Sequence, residues 1–441
     1  MKQLHPFEIE LNRRIQQDCY TTAYPWNPED WAQYLTHGPL KFQMDGKISF
    51  YIHIPFCMHL CKFCEYTRCV VPDEQAQFNY LKIVNNDIRR FIDKHPDITL
   101  EGFDIGGGTP TSLSNAAFAY LMDIYREVVG KVKLSKDFEP SIETSFMTIT
   151  PEKKRLIEKA GIRRISLGVQ SLYFSKNSDG IGWKYPTADE IIRRVNIIKR
   201  HPWYKKGFKI NLDFMYGFKD HENWEIEDQN LVAIERLRPD QVTLYELRTN
   251  QIDGVMSDDA EHRAASYDSW HRMLTGMLYC APYGQNTFTK SDDLGVSSYL
   301  RHRMLEGGDY KGFGISAQSM SDGNVEYNVG KNLHDILSLI PRQGNIESTS
   351  FDATTHYELP LEEKLAKFIC VSSYSGSFDW KLVEERFMPD FLNRHKDLVD
   401  FLRRNGYINM GAKYIRITRK GFKHYGPIFS LFYKPITSTI I

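Results

Sequence analysis

The sequence predicts an α/β fold: a partial (βα)6 TIM-like barrel with an N-terminal arm and a small C-terminal winged-helix-like lobe. Two observations carry this. Six short β-rich runs, ISFYIHI (48–54), EGFDIG (101–106), SIETSF (141–146), RISLGV (164–169), KINLDFM (209–215) and QVTLYEL (241–247), are separated by segments of helical period. The chemically distinctive residues also fall at or just after the carboxyl ends of these runs, where an α/β sheet gathers its ligands.

The connecting segments justify the helical half of each unit. FNYLKIVNNDIRRFIDKH, PEKKRLIEKAG and DEIIRRVNIIKR repeat apolar residues at helical spacing, and the second has Pro151 in its first turn and Gly161 just past its end. Residues 1–47 form the expected arm, whose YTTAYPWNPEDW stretch, with Tyr24 and Trp26, is placed to cover the barrel mouth. Residues 48–345 make the barrel and a substrate-side extension. In the last unit, 346–441, LEEKLAKFICVSS and FLNRHKDLVDFLRRNGYI read as amphipathic helices and YIRITRKGFKHYG as strand and turn.

Composition narrows the function classes. The 441 residues are 41% hydrophobic and 25% charged, with 56 basic against 56 acidic residues, so no basic excess points to nucleic acid or an anionic membrane. The charged start, MKQLHPFEIELNRR, is not that of a signal peptide, and no run approaches a membrane span, so a cytoplasmic protein is expected. Seven cysteines, an odd number, argue against a disulfide framework.

Four of the seven, Cys57, Cys61, Cys64 and Cys69, share one short window, while Cys19, Cys280 and Cys370 stand alone as candidates for buried small hydrophobes. In CMHLCKFC, thiolates three and then two residues apart can wrap one face of a 4Fe-4S cluster. Three ligands for four irons leave one iron open to the amine and carboxylate of an amino acid, which brings a sulfonium within reach of an electron. A structural zinc site using these cysteines with His53 or His59, and a reactive-cysteine site, are the competing readings; zinc prefers four closed ligands and a nucleophile needs no three thiols.

YIHIPFCMHLCKFC resembles the signature of the oxygen-independent coproporphyrinogen III oxidase-like branch of the radical S-adenosylmethionine (SAM) superfamily. The resemblance extends through GGGTPTSL (106–113), AGIRRISLGVQS (160–171), NLDFMYG (211–217), KGFGISAQS (311–319) and the terminal lobe. It implies a 4Fe-4S cluster on Cys57, Cys61 and Cys64, and S-adenosyl-L-methionine cleaved there to a 5′-deoxyadenosyl radical that abstracts hydrogen. Gly106, Gly107, Gly108 and Thr109 would approach the methionyl group, Glu143, Gln170 and Asp213 would orient amine and nucleoside, and Tyr51, on one strand face with His53, would shape the cluster pocket. Asp213 and Tyr216 are the candidate catalytic residues. A small-molecule substrate and an electron donor such as a flavodoxin or ferredoxin are the implied partners.

Departures from the family pattern bear on the substrate. Tyr66 stands where the oxidase proper carries a fourth cysteine, Trp183 and Lys184 occupy a segment where the family shows a basic residue, so that Lys184 is a cofactor-binding candidate, GFKD replaces GLP after the fifth strand, and SSYLRHR lacks the motif of a haem-chaperone relative. Hydrogen abstraction from a tetrapyrrole or another small organic molecule is the first expectation. Radical methyl transfer, sugar-diol dehydration, a haem-binding carrier with a non-catalytic cluster and a structural metal protein are the alternatives.

Overall fold

The computed structural model describes residues 5–16, 28–175, 181–200, 207–218, 222–247, 260–290, 295–331, 335–342 and 344–433. All six expected strands form, as β1 (Lys47–Ile54), β2 (Thr99–Gly107), β3 (Ser141–Thr144), β4 (Arg164–Gln170), β5 (Lys209–Tyr216) and β6 (Gln241–Glu246). They lie parallel, side by side in chain order. Beyond β6 an antiparallel strand, β7 (Thr287–Thr289), makes one edge. On the other side β8 (Asp309–Phe313) runs parallel to β1 and starts an antiparallel series through β9 (Gln318–Ser321), β10 (Asn324–Tyr327) and β11 (Thr355–Tyr357). Leu35–His37 closes that edge against β11, so the sheet is an open, partial barrel.

The helices are α1 (Glu74–Lys94), α2 (Asn115–Lys131), α3 (Pro151–Ala160), α4 (Ala188–Lys199), α5 (Glu222–Leu237) and α6 (Ala260–Gly276). Their limits follow from local chemistry: the side chains of Asp73, Ser114, Thr150 and Thr187 each accept a first-turn N–H, and Gly161 ends α3 at φ 88°. Strand alternation then decides what faces the helices. Phe50 meets Phe91 of α1 edge-on at 5.6 Å, Phe103 meets Tyr125 of α2 at 5.0 Å, and Phe214 meets Trp270 of α6 at 5.5 Å. Each such fully buried ring contributes about 1.5–3 kcal/mol by leaving water. The intervening residues, Tyr51, His53, Asp104, Asn211 and Asp213, are thereby turned to the concave face.

The terminal lobe sets the helix Leu361–Ser372 and shorter helices around a three-stranded antiparallel sheet of Ser377–Asp379, Tyr414–Ile417 and Ile408–Met410. The segment read as one helix from 391 breaks at His395 into Phe391–Arg394 and Lys396–Arg404, where the His395 ring bonds the Phe391 carbonyl at 2.9 Å. The helix Pro6–Gln16 of the arm docks on this lobe through Arg14, which donates to the carbonyl of Ser430. Tyr24 and Trp26 lie outside the described residues. Among the described residues no helix is long and apolar enough to cross a membrane.

Candidate functional site

β1 delivers the chain into a loop that carries Cys57, Cys61, Cys64 and Cys69. The loop is closed at its base, where Phe56 pairs with Cys69, and the N–H groups of Cys69 and Val71 donate to the carbonyls of Pro55 (2.8 Å) and Cys57 (2.9 Å). Inside it, Arg68 donates to the carbonyl of Cys61 at 2.6 Å, Cys64 N–H donates to the same oxygen at 3.2 Å, and the His53 ring bonds the Thr67 carbonyl at 2.9 Å. Burial lowers the pKa of His53, which favours the neutral ring. Cys69 thus belongs to the loop's base.

Burial pushes the Cys57 thiol up to about 12 and also raises Cys61 and Cys64, with Cys61 and Cys64 adding to the shift of Cys57 and Cys64 to that of Cys61. Thiols so placed become thiolates only when a metal compensates the charge. Two sulfurs already have donors: Thr109 Oγ1 lies 3.8 Å from Cys57 Sγ, and Trp183 Nε1 lies 3.5 Å from Cys61 Sγ, with the Trp183 ring stacked on His59 at 4.7 Å. Among the described residues no three His, Cys, Asp or Glu side chains are gathered so as to hold a single metal ion.

The end of β2 presses against this loop and against β3 together. A Cβ on Gly108 would stand 2.9 Å from Cys57 Sγ, one on Gly107 (φ 109°) 2.5 Å from His53 Nδ1, and one on Gly106 2.6 Å from the Glu143 carboxyl carbon. Gly108 N–H donates to Ile54 O and Thr109 N–H to Phe56 O, both at 2.8 Å, and Gly107 N–H donates to Glu143 Oε2 at 3.0 Å. The cysteine loop, the glycine run and Glu143 therefore form one continuous wall.

Three carboxyl groups share the concave face. Glu143 is exposed to the open concave face, yet the surrounding protein pushes it up to about 8, first by desolvation and then through Asp213 and Asp104, against the Gly107 N–H. Asp104 rises to about 7 through burial, opposed by Ser297 Oγ, which donates at 2.6 Å; its other oxygen has no partner. Asp213 rises to about 6 through burial despite accepting from Ser166 Oγ (2.6 Å) and Asn211 Nδ2 (2.7 Å). Arg164 opposes all three shifts electrostatically, while its own donors go to Gln241 Oε1 and Ser141 Oγ, both at 2.9 Å. An undercompensated acid cluster of this kind receives cations and hydroxyl groups.

Of the other expected site residues, Tyr51 stacks on Tyr299 at 5.6 Å beside this cluster, and burial, then Glu143, raises its phenol. Gln170 ends β4 at φ 65°, where the pairing with β5 shifts, and would approach a Cβ on Gly168, the partner of Asp213, to 2.8 Å. Two expected residues stand apart from the acid cluster. Lys184 is exposed and bonds none of the described residues. Tyr216 is not brought together with Asp213: three positions along a strand is opposite parity, so its ring turns to the helical side, 5.6 Å from Tyr267. The sequence reading missed Asp104, Ser166 and Asn211, for which the available signal was a polar residue at the alternate position of an apolar strand.

Residues 51–229 match the family description of the radical SAM superfamily. The heme chaperone HemW of Haemophilus influenzae is 31% identical over 205 residues, covering 45% of this chain and 51% of that protein. The oxygen-independent coproporphyrinogen III oxidase of Escherichia coli is 24% identical over 424 residues, covering 91% of this chain and 88% of that one. The solved structure of the Escherichia coli coproporphyrinogen III oxidase HemN, 21% identical, superposes with a TM-score of 0.69 over 89% of this chain and 91% of its own, a likeness of fold. Residues 51–229 thus carry a radical SAM domain. The relatives of the chain include both oxygen-independent coproporphyrinogen III oxidases and heme chaperones.

A radical SAM domain implies a 4Fe-4S cluster and SAM, and the residues present fit both. Three buried thiols on one loop suit the cluster, and a side-chain-free strand end flanked by cation-seeking acids suits a ligand with an ammonium, a sulfonium and a ribose diol.

Proposed function

We propose that the chain is an enzyme that holds a 4Fe-4S cluster on Cys57, Cys61 and Cys64 and binds SAM along Gly106 to Thr109, Glu143, Gln170 and Asp213, acting on a small organic molecule. The observation that carries the reading is the single wall made by the cysteine loop, the glycine run and Glu143. Bound together, the two groups supply reductive cleavage of SAM to methionine and a 5′-deoxyadenosyl radical that takes hydrogen from a substrate.

The chain's own residues do the rest. Glu143 and Asp104 give up protons as a cationic ligand arrives, and Asp213, held by Ser166 and Asn211, offers a fixed acceptor to a hydroxyl. Thr109 and Trp183 direct hydrogen-bond donors at two cysteine sulfurs, and Tyr51, stacked on Tyr299, covers the wall against water. The electron would come from a small donor protein such as a flavodoxin or ferredoxin.

The test is anaerobic reconstitution with iron and sulfide, reduction with dithionite, and chromatography for 5′-deoxyadenosine, alongside the Cys57→Ala, Cys61→Ala, Cys64→Ala triple variant. The reading expects brown protein and 5′-deoxyadenosine from the wild type and neither from the variant. Wild-type protein that takes up a cluster and SAM and forms no 5′-deoxyadenosine overturns it. A second reading, a haem-binding carrier, is favoured by the heme-chaperone relative and by Tyr66 at the fourth-cysteine position. Stoichiometric haem binding without turnover would select it.

A further inference from the structure

A partly open cleft lies where β8 and β9, the segment Arg301–Leu305 and the helix Leu361–Ser372 meet. Four cations line it, Arg303, Lys364, Lys367 and Arg386, together with apolar surface from Met304, Phe368 and Val371, and among the described residues no carboxylate lines it. Lys364, Lys367, Phe368 and Val371 follow the i, i+3, i+4, i+7 spacing of one helix face. Gly323 makes room for this face, since a Cβ there would stand 2.8 Å from Lys364 Cδ.

Charge is unevenly satisfied. Lys364 reaches Asp322 at 3.3 Å, and Arg386 donates to the carbonyls of Glu306 and Gly307, both at 2.8 Å. Among the described residues Arg303 bonds neutral groups, Tyr299 OH at 3.4 Å and Gln318 Oε1 at 3.3 Å, and lies 4.9 Å from the Tyr310 ring centre. Lys367 is 8% exposed and has no hydrogen bond or ion pair with a described residue; its ammonium lies 5.6 Å from the Trp31 ring centre. Burial, then Arg303 and Lys331, hold that ammonium down at about 8, against the Cys370 thiol. A buried, unpaired cation beside two others is costly, and an apolar side chain of similar length would fill the space without that cost.

We infer that this pocket binds a carboxylate carried on an apolar body, the carboxylate received by Lys367 and Arg303 and the body lying along Met304, Phe368 and Val371. The inference goes beyond the cluster chemistry and does not rest on it. Arg303 also stands behind Tyr299, the ring that stacks on Tyr51, so the pocket backs onto the wall of the barrel site.

The full chain is tested with decanoate and 1-decanol as probes, by calorimetry and thermal melting, in the wild type, Lys367→Met and Arg303→Gln. Decanoate should bind saturably and raise the wild-type Tm while 1-decanol does neither. Both variants should bind decanoate at least about tenfold more weakly, as loss of a charged hydrogen-bond partner predicts. Without ligand, Lys367→Met should melt higher than the wild type. Equal binding of decanoate and 1-decanol, undiminished binding in both variants, or a lower Tm of empty Lys367→Met would each overturn the inference.

Discussion

Replacing Gly106 by alanine tests whether the end of β2 and Glu143 share one tightly fitted wall. The new methyl would lie 2.6 Å from the Glu143 carboxyl carbon and 2.6 and 2.8 Å from its oxygens. To reach a contact distance of ~3.5 Å the carboxyl must retreat by about 1 Å, which breaks its 3.0 Å bond from Gly107 N–H. Gly106 is not among the glycines with positive φ, so the substitution adds no backbone strain. Because the exposed Glu143 carboxyl can swing aside, the lost bond sets the cost, a destabilisation of ~0.5–1.5 kcal/mol. In a Glu143→Ala background the same methyl meets space, and its cost should fall below ~0.5 kcal/mol. Denaturant midpoints of the wild type, both single variants and the double variant give the coupling. A cost of Gly106→Ala that is the same in both backgrounds would refute the packing argument.

Further predictions follow from the site's charges and parities. Burial raises the pKa values of Asp104 and Asp213 to about 7 and 6, so the folded chain retains protons that the unfolded chain releases. Their contribution to stability is complete below about pH 4 and is lost as pH rises through about 6 to 7, and Asp104→Asn should gain on the wild type across that rise in urea titrations. SAM affinity, measured by equilibrium dialysis, should rise over the same window, because the acids meet a cation only when ionised; a fall would contradict the assignment. Trp183→Phe removes the 3.5 Å donor to Cys61 Sγ and should move the cluster's reduction potential to more negative values in a spectroscopic redox titration. Tyr216→Phe and Lys184→Ala should leave SAM binding unchanged, since neither side chain reaches the acid cluster; a tenfold loss in either would place that residue back in the site.

The barrel was legible because each strand alternates or runs apolar between turn signals, as in ISFYIHI, and because Pro151 and Gly161 bracket α3. The four-cysteine window and the glycine run were legible as chemistry at strand ends. Parity was available but unused: the positions of Phe214 and Asp213 already implied that Tyr216 faces the helices. The antiparallel series from β9 to β11 was missed because its strands are short and pair through Leu35–His37, a contact distant in sequence. Arg303 and Lys367 carried no local signal. Their significance lies in what fails to neutralise them, which only packing reveals.

The central claim is that Cys57, Cys61 and Cys64 hold a cluster with one iron open to SAM. Electron paramagnetic resonance of the anaerobically reconstituted, dithionite-reduced protein, recorded before and after addition of SAM, addresses it most directly. The account predicts the signal of a reduced 4Fe-4S cluster whose g-values shift on adding SAM, and no signal from the triple alanine variant. A cluster signal indifferent to SAM, or one that survives loss of the three cysteines, would contradict it.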